Sequence, residues 1–155
     1  MYLAHYGLNK KPFEINPDPN FQWLGEKQKE ALALLKCGIV NSNGFLVITG
    51  DVGTGKTTLC RNYLESLDED TDSAYIFNPH LETNELLIGI CHEFGMRTQE
   101  RNTKALLDTL NLFLIKQNAA GRKVVLLIDE AQLLSVDNLE MVRMLSNLET
   151  TRSKL

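Results

Sequence analysis

Residues 50–57 read Gly50-Asp51-Val52-Gly53-Thr54-Gly55-Lys56-Thr57 and match in full the pattern G-x-x-x-x-G-K-[ST]. In this pattern the glycines let backbone N–H groups point at a polyphosphate, the lysine reaches the β- and γ-phosphates, and the threonine hydroxyl ligates Mg²⁺. Phe45-Leu46-Val47-Ile48 precedes the loop as a short apolar run typical of a buried strand. Residues 57–67 follow as a helix with leucines on one side.

The order strand, loop, helix is the one that a phosphate-binding loop requires, and a glycine-rich turn with a stray lysine explains it less well. We therefore predict a nucleoside triphosphate site. Its phosphate-binding residues are Gly50, Asp51, Val52, Gly53, Thr54, Gly55, Lys56, Thr57 and Thr58.

Composition limits the class of protein. The chain has 155 residues, which is the size of one domain, and 43% of them are hydrophobic. Its net charge of −4 argues against a nucleic-acid module held mainly by bulk charge, although a local basic patch is compatible with that value. The cysteines Cys37, Cys60 and Cys91 form no metal-ligand pair, and we expect them to be small core residues in a reducing compartment. The sequence shows neither a signal-peptide pattern at its start nor an apolar run long enough to span a membrane.

The hydrophobic periodicity predicts an α/β fold after an N-terminal arm. Residues 1–25 hold three of the four prolines and several aromatic side chains, and we expect this irregular arm to pack against residues 26–155, which form the core. Helices are predicted over 26–40 and 57–67, from Thr83 to Gly95, from Asn102 or Thr103 to near Gly121, and from a cap at Asp137. Strands are predicted over 45–48, 74–77 and 124–128. Alternating strands and helices imply a parallel sheet that is sandwiched by helices.

Asp129 and Glu130 follow the apolar strand 124–128 directly. A carboxylate at the C-terminal end of a central parallel strand lies in the ligand crevice of an open α/β sheet. Asp129 would hold Mg²⁺, and Glu130 could take a proton from an attacking water as a general base. The alternative is that two solvated acids merely end a strand. The additional strand 74–77 between the two motifs suits the branch of phosphate-loop proteins with a glutamate beside the metal aspartate better than it suits kinases or small GTPases.

Together these motifs resemble the AAA+ ATPases of the general secretion pathway protein A family, which includes a related ATPase of the mannose-sensitive haemagglutinin pilus system. The likeness extends over nearly the whole chain. Its residues are Met1-Tyr2-Leu3, Tyr6-Gly7-Leu8, Pro12-Phe13, Pro17-Asp18-Pro19, Glu30-Ala31-Leu32, Gly44-Phe45, the segment from Thr49 to Leu59, Asn78-Pro79, Asp129-Glu130-Ala131-Gln132 and Leu145-Ser146-Asn147-Leu148-Glu149-Thr150.

The resemblance implies an AAA+/ASCE-type ATPase that uses ATP and Mg²⁺ and works as a homo-oligomer in the assembly of a secretin or a pilus. It implies catalytic roles for Lys56 and Glu130, metal binding by Thr57 and Asp129, and a cytoplasmic location, with full-length members often anchored to the inner membrane. It also suggests that the adenine lies near Leu24 and Gly25. The choice of ATP over GTP rests on this resemblance and on the lack of an Asn-Lys-x-Asp motif.

Asn78 is a third candidate for a catalytic role because it ends the second predicted strand, close to where Glu130 should lie. In many ATPases of this branch a polar residue at that place hydrogen-bonds the catalytic glutamate and couples its orientation to partner binding. An Asn-Pro turn that only stops the strand explains the residue at least equally well.

Two other functions stay open at this point. Related ATPases select target DNA in transposition, and a nucleotide-gated scaffold would bind ATP with little hydrolysis. We expect no nucleic-acid partner and no membrane contact from these residues. Family members continue past the position of Leu155 into the strand that bears the sensor-1 residue, so the sequence resembles an N-terminal fragment truncated before that strand. Such a fragment should hydrolyse ATP poorly.

Overall fold

Helices and strands alternate along the chain in a computed structural model that describes residues 2–9, 11, 24–40 and 44–148. A short 3-10 turn, Ala131–Leu133, follows the second strand. The other elements are α1 (Tyr2–Tyr6), α2 (Glu26–Val40), α3 (Lys56–Glu65), β1 (Thr71–Ile76), α4 (Thr83–Glu93), α5 (Thr103–Ala119), β2 (Lys123–Ile128) and α6 (Val136–Leu148).

The two strands form a parallel sheet in which Tyr75 lies opposite Leu127 and Ile76 lies opposite Ile128. The pairing extends one residue past β2, where the N–H of Asp129 donates to the carbonyl of Ile76 at 2.9 Å. Parallel strands need a crossover connection, and α4 and α5 provide it here. The predicted α/β class with a parallel sheet is thus confirmed.

One face of the sheet carries the hydrophobic core. Helices α4 and α5 pack on β1 and β2, and α6 packs on both helices. The amphipathic spacing of the leucines on α4 and α5 directs them to this face, since residues three and four apart share one side of a helix. The buried residues of this core are Ile76, Leu86, Leu87, Ile90, Cys91, Leu106, Leu110, Met141 and Leu145.

The opposite face of the sheet meets α3. Side chains alternate along a strand, so Tyr75 points away from the core that its neighbours Ala74 and Ile76 enter. Tyr75 interacts there with Arg61 of α3. Helix α2 lies beside α3, and the buried hydroxyl of Tyr63 donates to the carbonyl of Leu35 at 3.2 Å. The expectation of helices on both faces is therefore correct.

The strand predicted over Phe45-Leu46-Val47-Ile48 is wrong as an element of this sheet. Residues 45–50 have no ladder partner within the described chain, and Phe45, Leu46 and Val47 are 53%, 44% and 82% exposed. A segment belongs to a sheet only when its backbone pairs with a neighbouring strand, and here β1 and β2 pair with each other. Apolar, β-branched composition reports that a segment suits a buried strand, but it does not specify which strand pairs with it.

Several local predictions also need correction. Tyr2 and Tyr6 are 42% and 71% exposed, so this part of the arm is not packed against the body, while Phe13, Phe21 and Trp23 lie outside the described residues. Cys37 is exposed and only Cys91 is a core residue.

The predicted ends of the helices and strands differ by a few residues. Asn102 caps α5 as predicted, with its side-chain oxygen accepting from the N–H of Lys104. Helix α4 is capped by Glu82 instead of Thr83, and Ser135 instead of Asp137 accepts from the first turn of α6. Strand β1 runs from Thr71 to Ile76, so Phe77 lies beyond it.

Candidate nucleotide site

The loop of residues 50–57 turns sharply between an extended segment and α3. Gly53 and Gly55 have φ angles of 79° and 83°, in the left-handed region that side chains other than glycine rarely adopt. The Thr54 hydroxyl donates to the carbonyl of Asp51 at 2.8 Å and tightens the turn. The backbone itself therefore requires glycine at positions 53 and 55.

Lys56 is the first residue of α3, and its side chain folds back over the loop. Its Nζ donates to the carbonyl oxygens of Gly50 at 2.7 Å and Asp51 at 2.8 Å. The ammonium group thus lies against the turn, next to the N-terminus of α3, where helix N–H groups and the helix dipole favour an anion. The arrangement concentrates positive charge at one end of α3.

Gln28 is a contact of the loop that sequence reasoning missed. Its Nε2 donates to the carbonyl of Thr54 at 3.1 Å, and its Oε1 accepts from the N–H of Gly25 at 3.0 Å. A Cβ on Gly55 would lie 3.2 Å from the same Nε2. One side chain of α2 therefore joins the segment before that helix to the phosphate loop, a contact between distant residues that no local pattern indicates.

Asp129 meets Thr57 although the two residues belong to separate motifs. The Thr57 hydroxyl donates to Oδ2 of Asp129 at 2.8 Å, and the N–H of Glu130 donates to Oδ1 at 2.9 Å. A hydroxyl and a carboxylate side by side offer the hard oxygen ligands that Mg²⁺ prefers, and Mg²⁺ is commonly held by one or two protein oxygens together with substrate phosphates. The residues present thus fit the metal that the motif implies. Within the described ranges no group of three or more His, Cys, Asp or Glu side chains could hold a metal ion by itself.

Tyr75 is a further partner of Asp129 that the sequence did not indicate. Its hydroxyl donates to Oδ2 at 2.9 Å. Burial raises the pKa of the Tyr75 phenol, its hydrogen bond to Asp129 raises that pKa further, and Arg61 acts in the opposite direction. The phenol is therefore a protonated donor at neutral pH.

Cys60 lies one turn after Lys56 on α3, near the same carboxylate. Burial raises the pKa of its thiol, and the negative charge of Asp129 raises it as well. A thiol with a raised pKa is a weak nucleophile because the thiolate is the reactive form. The structure therefore gives Cys60 a packing role beside the site.

Glu130 has an unusual backbone conformation. Among the described residues it is the one non-glycine residue with a positive φ, at 51°. Its carboxylate is exposed and accepts a hydrogen bond from Nε2 of Gln132. A left-handed residue of this kind costs about 1–3 kcal/mol, and such residues cluster at functional sites. The chain thus bends directly after Asp129, just beyond the end of β2.

The role predicted for Asn78 beside Glu130 stays a prediction, because the hydrogen bond that the structure gives its side chain is a local one. Its Oδ1 accepts from the backbone N–H of His80 at 3.3 Å, as in a local turn. Within the described chain the side-chain partner of Glu130 is Gln132, two residues further on. The alternative that Asn78 and Pro79 form a turn after β1 explains this geometry, and Gln132 is the contact that the prediction missed.

The chain is similar in sequence to known proteins. The AAA domain family matches residues 40–155. General secretion pathway protein A of Aeromonas hydrophila is 43% identical over 156 residues, which cover 100% of this chain and 28% of that relative. No solved structure matches the chain. In the part of the chain that the structure describes, no helix is long and apolar enough to cross a membrane.

Proposed function

The chain belongs to the AAA domain family, and on that premise we propose that it binds ATP with Mg²⁺ and hydrolyses it as part of an oligomeric ATPase that serves secretion or pilus assembly. The observation that carries this proposal is the 2.8 Å hydrogen bond between Thr57 and Asp129. It joins the phosphate loop to the carboxylate after β2. Each of these two residues was predicted from its own motif to bind Mg²⁺.

The roles of the residues follow from their positions. Lys56 would exchange the carbonyl oxygens of its own loop for phosphate oxygens, which are stronger partners for an ammonium group. Thr57 and Asp129 would hold Mg²⁺. When bound, this ion neutralises the charge that develops on the phosphates.

Glu130 would take a proton from the water whose oxygen attacks the γ-phosphorus, so that the carboxylate becomes a carboxylic acid while ADP leaves. Gln132 would orient that carboxylate through the hydrogen bond described above. The role proposed for Asn78 as a second partner of Glu130 stays a prediction, and its local turn does not support it.

The partners are proposed from the relative. General secretion pathway protein A is named for secretion, and the 43% identity over this chain supports a related role. Because the chain spans 28% of the length of that relative, the secretion or pilus partners and the oligomer are part of the proposal.

The proposed function is tested by the Mg²⁺ dependence of ATP binding in the full-length protein. We expect a fluorescent ATP analogue to bind more tightly when Mg²⁺ is added, and Asp129→Asn to remove that gain. The matched control is Asp70→Asn, in the exposed turn before β1, at the opposite end of the strand from the site. Binding that ignores Mg²⁺, or an Asp129→Asn variant that behaves like the wild type, would contradict the assignment.

The position of the adenine gives a second prediction. We expect the adenine of a bound nucleotide to contact residues 20–26, close to Leu24 and Gly25. Gln28 supports this, because it accepts from the N–H of Gly25 and donates to the carbonyl of Thr54, which links Gly25 to the phosphate loop. A nucleotide-bound structure checks it, and a base more than about 8 Å from all of these residues, well beyond contact range, would refute it.

The 155-residue chain itself should be a slow enzyme. Phe45, Leu46 and Val47 lead into the loop without a ladder partner in the described chain, so the sheet does not fix the loop against Asp129 and Glu130. We expect weak nucleotide binding and hydrolysis near background. Steady-state turnover of about one per second or faster, a rate ordinary for an intact enzyme, would show that the unpaired segment is not limiting.

A further inference from the structure

Tyr75 is placed by the sheet so that its side chain reaches the end of the neighbouring strand. It lies opposite Leu127 on β2, and Asp129 is two residues beyond that partner on the same face. Diagonal neighbours across two strands are within reach of a long aromatic side chain. The register of β1 against β2 therefore decides that the phenol meets Asp129.

The direction of the hydrogen bonds around the phenol is also determined. The Tyr75 hydroxyl donates to Oδ2 of Asp129 at 2.9 Å, and the Arg61 guanidinium, which can only donate, interacts with the same phenol. The carboxylate then has donors on both oxygens, with Glu130 N–H on Oδ1 and the hydroxyl groups of Thr57 and Tyr75 on Oδ2. Tyr75 lies on β1 and not in the phosphate loop, so its hydrogen bond to Asp129 does not depend on what the loop binds.

We propose that Tyr75 is a positioning residue, which fixes the Asp129 carboxylate for a divalent cation and thereby sets the affinity of the site for that cation. This inference rests on the proposed function, because it assigns to Asp129 the role of metal partner. Groups that orient a metal-binding side chain typically change metal affinity about 10–100-fold when they are removed. A single neutral hydroxyl should lie at the lower end of that range.

The experiment compares Tyr75→Phe with Tyr63→Phe in the full-length protein. Both substitutions remove only a hydroxyl and keep the ring, and Tyr63 donates to Leu35 in the contact between α2 and α3, outside the site. For each protein, binding of a fluorescent ATP analogue is titrated with Mg²⁺, and Mn²⁺ binding is followed by electron paramagnetic resonance. Tyr75→Phe should raise the midpoint for either cation about tenfold and leave metal-free nucleotide affinity unchanged. Tyr63→Phe should leave both midpoints unchanged, even if it lowers the melting temperature.

The outcomes separate the two proposals when Asp129→Asn is measured alongside. If Asp129→Asn loses the metal response while Tyr75→Phe keeps the wild-type midpoints, the positioning role of Tyr75 is overturned and the metal site stands. If Tyr63→Phe moves the midpoints as far as Tyr75→Phe does, the effect is a general loss of stability and the inference fails. If the wild type shows no response to either cation, the inference fails together with the metal site.

Discussion

Replacing Lys56 with alanine is expected to lower the affinity for ATP about 100-fold in the full-length protein. A hydrogen bond to a charged group contributes about 1.5–3 kcal/mol, and the upper part of that range corresponds to about 100-fold. The net gain is of this size because the ammonium group gives up two carbonyl contacts at the turn when it binds phosphate oxygens. The fold should survive because the side chain is only partly buried and alanine is a good residue for the first turn of α3. Titration with a fluorescent ATP analogue measures the loss, and circular dichroism checks the fold.

Lys116→Ala is the matched control for this experiment. Lys116 is exposed in the last turn of α5. This helix leads into the start of β2, whereas Asp129 follows the end of that strand. We expect the control to bind ATP as the wild type does. Undiminished binding by Lys56→Ala would refute the site, and an equal loss in both variants would show that general charge, and not the loop, holds the nucleotide.

The turn of residues 50–57 could be predicted from the sequence because its backbone conformation is set locally. Gly53 and Gly55 have left-handed φ angles, which the turn itself requires. The same holds for α2, whose observed bounds, Glu26–Val40, match the prediction, and for Asp129, which follows an apolar strand that pairs in parallel. In each case neighbouring residues carry enough information to define the conformation.

The features that were missed depend on residues far apart in the chain. The contact of Tyr75 with Asp129 follows from the register between β1 and β2, and the contact of Gln28 with Thr54 follows from how α2 lies on the loop. Phe45-Leu46-Val47-Ile48 has the composition of a strand, but a strand also needs a partner strand, and composition does not specify one. Asn78 was assigned to Glu130 by analogy; a local turn engages its side chain, and its role beside Glu130 stays a prediction.

Glu130→Gln is expected to retain ATP binding and to lower hydrolysis about 10²–10⁴-fold in the full-length protein, the range that a general base contributes. The amide keeps the size of the carboxylate but cannot take a proton from water. Glu130 is exposed just after β2, and the hydrogen bond described for its side chain goes to Gln132 and not to the phosphate loop, so the affinity for ATP should not change. Turnover and nucleotide affinity are measured on the same preparation.

The control, Glu69→Gln, makes the same chemical change in the exposed turn before β1, at the end of the strand remote from the site, and should leave turnover unchanged. The backbone of Glu130 sharpens the interpretation, because glutamine must adopt the same left-handed φ of 51° and bears the same strain as glutamate. A loss of turnover with unchanged ATP affinity and melting temperature therefore reports the missing proton acceptor and not a relaxed turn. If Glu130→Gln hydrolyses ATP at the wild-type rate, Glu130 is not the base, and the strained residue must serve the shape of the turn that carries Asp129.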